Sequence, residues 1–177
     1  MNPRHLKRVA FFCLALLGTC AWAQHRRDPL NSAEVDELRD TALEADKRLK
    51  LYVKFARARL ETLEQMRADP KTTDRAKQTR DDLQDFLDVY DELNDNIDNF
   101  ADRKEDLRKV MPLVIEADTE FDAKIRALQS PANSSKSEME VYRTVLANAV
   151  ESLELGTKDH RDLLAQQQKD PTSYKKK

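Results

Sequence analysis

The 177-residue sequence predicts an all-α fold, an elongated antiparallel three-helix coiled-coil bundle. Three observations carry that expectation. Charged residues make up 36% of the chain, above the roughly 25% of an ordinary globular domain, and such a bias accompanies long helices. Only two glycines occur, Gly18 and Gly156, so little of the backbone is free to turn sharply. Apolar residues return at alternating three- and four-residue steps, the spacing of left-handed knobs-into-holes packing.

The first segment, residues 1–23, reads as a leader. Arg4, Lys7 and Arg8 precede the uncharged run Val9 to Ala23, which closes on Ala21-Trp22-Ala23. This is the pattern of a secretory signal peptide, with cleavage expected between Ala23 and Gln24. The run is shorter than the roughly 20 residues of a membrane span. Two rival readings stand beside cleavage: lipidation of Cys20 in Leu17-Gly18-Thr19-Cys20, where threonine fits poorly before the cysteine, and retention of the leader as a membrane tether. Export puts the protein in the periplasm or outside the cell, a bacterial envelope being the expected compartment.

Losing the leader removes three basic residues and no acidic one, so 28 Lys+Arg face 33 Asp+Glu and the net charge moves from −2 to −5. A mildly acidic chain gives no support to nucleic-acid binding. Cys13 and Cys20 leave as well, and with them any thiol, disulfide or cysteine ligand. Gly156 is then the only glycine, which removes phosphate-cradling loops, nucleophile elbows and dinucleotide fingerprints. No cofactor and no catalytic activity are expected.

After a short linker, 24–32, a helical domain spans 33–169. Its first helix covers about 33–68 and is opened by Asn31-Ser32-Ala33-Glu34, in which Asn31 caps and Glu34 reaches back. Val35, Leu38, Ala42, Ala45, Leu49, Tyr52, Ala56, Leu63 and Met66 fill its a and d positions, with Arg59 the exception. The second helix covers 74–129, capped by Thr72 or Thr73. Its seam runs from Leu83 to Leu128 in one register, broken only by Lys104 and Asp118. Because that register passes Met111 to Val114 without slipping, Pro112 is expected to kink one long helix, not to end it. At 1.5 Å per residue its 56 residues would span about 84 Å. The third helix covers 136–168, opened by the capping box Ser135-Lys136-Ser137-Glu138, and its seam is interrupted at Gly156 and His160. Residues 170–177 form an unstructured basic tail ending in Tyr174-Lys175-Lys176-Lys177.

Candidate sites follow from this frame. Leu51, Val53, Phe55 and Leu60 lie outside the a/d seam, so in a bundle only two helices thick at its tips they form an exposed apolar strip suited to a partner. Between Asp81 and Asp106 eleven acidic residues face two basic ones. Asp85, Asp88, Glu92 and Asp95 would be the carboxylates of a weak Ca²⁺ or Mg²⁺ surface, because hard cations prefer oxygen. A solvated face that keeps an exposed helix soluble explains them more simply. Lys104 and His160 fall at one level of two adjacent seams and predict a polar core layer that sets register. A catalytic role for His160 would require a concave pocket beside Asp159 or Asp162. Asp118, beyond the proline, is expected to remain exposed. The function these features imply is a scaffold, adaptor or holdase-like chaperone that binds protein partners or itself through helical surfaces. It would touch membrane only through an uncleaved or lipidated leader.

Overall fold

The computed structural model describes residues 29–174, and these form an all-helical bundle. The proposed signal peptide, its cleavage site at Ala23 and Gln24, and the terminal lysines lie outside the described residues. Among the described residues five helices replace the expected three: α1 (Ser32–Arg39), α2 (Ala45–Ala68), α3 (Arg75–Asp102), α4 (Met111–Ala127) and α5 (Lys136–Lys169). No helix among the described residues is long and apolar enough to cross a membrane.

Both expected capping boxes are present. Asn31 accepts from the Glu34 amide at 3.0 Å while the Glu34 carboxylate accepts from the Asn31 amide at 2.9 Å. Ser135 and Glu138 repeat the exchange at the start of α5. The first expected helix is interrupted after Arg39, and α1 is tied back onto α2 by buried Glu34, which pairs with Arg59 Nη2 at 2.6 Å. The second expected helix begins later than predicted: its N-cap is Asp74 at φ 53°, not a threonine, and the Asp74 side chain makes no capping bond.

The largest departure is between Asp102 and Met111. The chain leaves α3 through Lys104 at φ 58°, a left-handed conformation, and Pro112 sits in the first turn of α4, where its missing N–H costs nothing. There is no single kinked helix over 74–129. The 28 residues of α3 span about 42 Å and the 17 of α4 about 26 Å. The apolar pattern runs unbroken through the connection because its residues are buried too: Leu107 and Val110 are 0% exposed and plug the end of the bundle. Gln167 on α5 satisfies the backbone there, accepting from the Leu107 amide at 2.8 Å and donating to the Glu105 carbonyl at 3.0 Å.

The break sends α4 back across the bundle. Helices α2 and α5 each pack beside both α3 and α4, so α3 and α4 occupy one diagonal of a four-helix arrangement. Arg48 with Asn96 and Arg67 with Thr79 set α2 and α3 antiparallel. The pairs Arg57–Glu120 and Lys124–Glu64 set α4 parallel to α2. Seam residues from all four helices, among them Tyr52, Phe86, Phe100, Phe121 and Tyr142, form one core.

A cross-section of four helices in place of two also overturns the predicted exposed strip. Val53, Phe55 and Leu60 are 1%, 2% and 1% exposed, and Leu51 is half-buried against the same core. A helix flanked on two sides buries a stripe wider than the a/d seam, which is why residues beside that seam are inside.

Candidate functional site

The seam-breaking polar residues converge, though not on the expected partner. Asp118 of α4 is 0% exposed and lies between Tyr90 of α3 and His160 of α5. Tyr90 Oη donates to Asp118 Oδ1 at 2.9 Å, and His160 Nδ1 meets Asp118 Oδ2 at 2.8 Å. A carboxylate only accepts, so Nδ1 carries the proton of this bond. Burial first, then the Asp118 carboxylate, pushes the Tyr90 phenol well above its usual value of 10.0, which keeps it a donor.

Gly156, the third seam-breaker, makes room for this network. A Cβ there would lie 2.4 Å from Tyr90 Oη. Tyr90 is also fixed from behind, stacked on Phe86 with ring centroids 5.7 Å apart, and Phe86 meets the edge of Phe121 at 5.5 Å. The polar layer of the core is therefore Tyr90, Asp118, Gly156 and His160. Lys104 is not in it, since it stands exposed in the turn after α3. Asp118 is not exposed either, because the break that carries α4 back across the bundle brings it to the centre.

His160 also forms part of a surface groove of about 270 Å³ between α3 and α5, with Asn94, Asp98, Ser152, Leu155 and Asp159 among its walls. The proximity of His160 to Asp159 in a concave hollow is thus present; Asp162 is not among the lining residues. Asn94 Oδ1 is buried with no hydrogen-bond partner among the described residues. Burial, with Asp102 and Asp95 close by, raises the Asp98 carboxyl above its usual value, and His160 pulls it the other way. The one hydroxyl of the groove, Ser152, lies two turns before His160 on the same helix, about 12 Å along its axis, far beyond proton-transfer reach.

The acidic residues singled out for a cation are dispersed along α3. Asp88 accepts from Gln84 at 2.8 Å, Asp85 is engaged electrostatically with Arg59, and Asp95 is exposed. No group of three or more His, Cys, Asp or Glu side chains suited to a metal forms among the described residues. No family model, curated protein or solved structure matches the chain. Sequence reasoning missed Tyr90 and Asn94, both of which occupy ordinary helical positions. The interruptions at Asp118, Gly156 and His160 were the signal that could have linked α4 to α5.

Proposed function

We propose that the chain is an exported, non-catalytic interaction module of the cell envelope, a scaffold, adaptor or holdase-like chaperone, working through the α3–α5 groove. The observation that carries this reading is the groove's mismatch with water and with itself. It holds a buried carbonyl on Asn94 with no hydrogen-bond partner among the described residues, carboxylates on Asp98 and Asp159, and Leu155 at 56% exposure. A partner segment bearing Lys or Arg beside an apolar residue supplies donors and charge to the former and contact to the latter. Export rests on the leader pattern of residues 1–23. The heptad spacing of α5 supports knobs-into-holes packing on its two neighbours.

A photo-cross-linking amino acid at position 155, expressed in the native envelope, is expected to give a discrete protein adduct. The same group at Leu43, 69% exposed in the turn between α1 and α2, is expected to give none. Equal adducts at both positions, or none at either, refute the groove as the working surface. N-terminal sequencing of the same material is expected to begin at Gln24, and a retained Met1 would replace release by tethering.

A second reading has one observation in its favour: an imidazole oriented by a buried carboxylate and lining a hollow is suited to general-base chemistry. Its test is turnover of ester or amide substrates that His160→Gln abolishes.

A further inference from the structure

A second hollow, of about 350 Å³, lies at the opposite end of the bundle from the α3–α4 connection, where the α2–α3 and α4–α5 turns meet. Its apolar wall includes Leu60, Leu63 and Leu128, all buried. Its charged residues are three cations, Arg67, Arg75 and Lys124, against one carboxylate, Glu64. Two of the cations are neutralised within the protein. Lys124 pairs with Glu64 at 2.6 Å, and Arg75 pairs with Glu138 at 2.6 Å.

Arg67 is different. Its Nη1 donates to Thr79 Oγ1 at 2.7 Å, and its Nη2 to Ser134 Oγ at 3.0 Å and to the Asn133 carbonyl. Its guanidinium carbon stands 6.0 Å from the centroid of the Tyr142 ring. Every one of these partners is neutral. A guanidinium has five N–H donors, and these bonds use three, so Nε–H and one Nη1–H are left over. The chain thus fixes a cation with neutral groups from three elements, leaves two donors unspent, and provides no carboxylate for it among the described residues. Holding a charged fork rigid in advance of its counter-ion is how anion sites reduce the ordering cost of binding.

We infer that this hollow binds a small amphipathic carboxylate, with its head on Arg67 flanked by Lys124 and Arg75 and its apolar body against Leu60, Leu63 and Leu128. The volume lies near the lower end of the 300–1,000 Å³ range of ligand pockets, which suits a short acyl chain or a single aromatic ring. This site is separate from the α3–α5 groove and does not depend on that groove having a partner.

The test is an amide-resonance titration of the mature protein with octanoate, octan-1-ol and octylammonium. Octanoate is expected to give saturable shifts confined to residues 60–68 and 124–133, and the other two are expected to leave those residues unmoved. Arg67→Gln should weaken octanoate about ten-fold or more, as loss of a charge-assisted hydrogen bond does. Because Arg67 also ties two turns together, Lys124→Glu serves where Arg67→Gln fails to fold, and it too should weaken binding about ten-fold. The inference is overturned if octanoate shifts nothing at millimolar concentration or if octanol shifts the same residues equally. It also fails if whichever folded variant is measured binds as the wild type does.

Discussion

Replacing Gly156 with alanine sets two effects of opposite sign against each other. In an exposed helix interior the exchange stabilises by about 1 kcal/mol. At this position the new Cβ would stand 2.4 Å from Tyr90 Oη and 3.2 and 3.3 Å from Cζ and Cε1. The ring has nowhere to retreat, being 0% exposed, stacked on Phe86 and bonded to Asp118. Either α5 moves outward or the phenol tilts and Asp118 loses a donor. Overpacking costs about 1–3 kcal/mol, and depriving a buried charged group of a partner costs about 1–3 kcal/mol or more. Where both costs apply, their sum less the gain in helix propensity is a net loss of about 1–5 kcal/mol. At about 3 °C per kcal/mol for a chain of this length, the midpoint of thermal unfolding should fall by about 3–15 °C. Urea unfolding of the wild type, Gly156→Ala, Tyr90→Phe and the double variant closes the cycle. The alanine should cost at least 1 kcal/mol less once the hydroxyl is gone. A Gly156→Ala protein more stable than the wild type, or a cost identical in the Tyr90→Phe background, would refute the close fit of α5 on Tyr90.

Other perturbations address other parts of the molecule. His160→Leu leaves the fully buried Asp118 with Tyr90 alone and should cost about 3–5 kcal/mol in urea unfolding, most of which the double variant with Asp118→Leu recovers. A cost below about 1 kcal/mol would show that the network contributes little. Burial raises the Glu34 carboxyl, but hydrogen bonds from Arg59 and the Asn31 amide and the charges of Arg59 and Lys54 outweigh it, holding the group below its usual 4.5. Its stabilising contribution is therefore complete above about pH 4.5 and is lost as pH falls through the lower folded value. Glu34→Gln should flatten that acid limb in a stability–pH profile, whereas an unchanged slope would exclude the ion pair as its source. Lys104→Gly should stabilise by about 0.5–1 kcal/mol, because glycine enters the left-handed region without penalty, and a destabilised variant would contradict the turn geometry.

Much of the fold was legible because local chemistry and tertiary packing agree. Asn31 and Ser135 cap where their side chains predict, and seam residues such as Leu49, Phe86, Phe121 and Leu153 are buried as the heptad spacing requires. The break at 103–110 was hidden because periodicity reports burial and not helicity. Leu107, Val110 and Met111 are inside, whether the backbone between them is helical or not. No glycine marked the turn, since Lys104 takes the left-handed conformation itself. That single omission propagated. An unbroken helix would have kept Asp118 far from Tyr90, so Lys104 was matched to His160, and residues beside the seam such as Phe55 were left without cover.

The diagonal relation of α3 and α4 has a consequence for how the molecule assembles. Helices α2 with α3, and α4 with α5, are each joined by a short turn and can pair early, as antiparallel hairpins of low contact order. The Tyr90–Asp118 bond closes only when one hairpin docks on the other in the right alignment. A slip of one turn, about 5.4 Å, would leave the buried carboxylate with His160 alone and its other oxygen unpaired. The dyad therefore penalises misdocked intermediates more than it strengthens either half. Amide protons of α3 and α4 near Tyr90 and Asp118 should then exchange together, at the free energy of global unfolding, while those of α1 exchange far sooner.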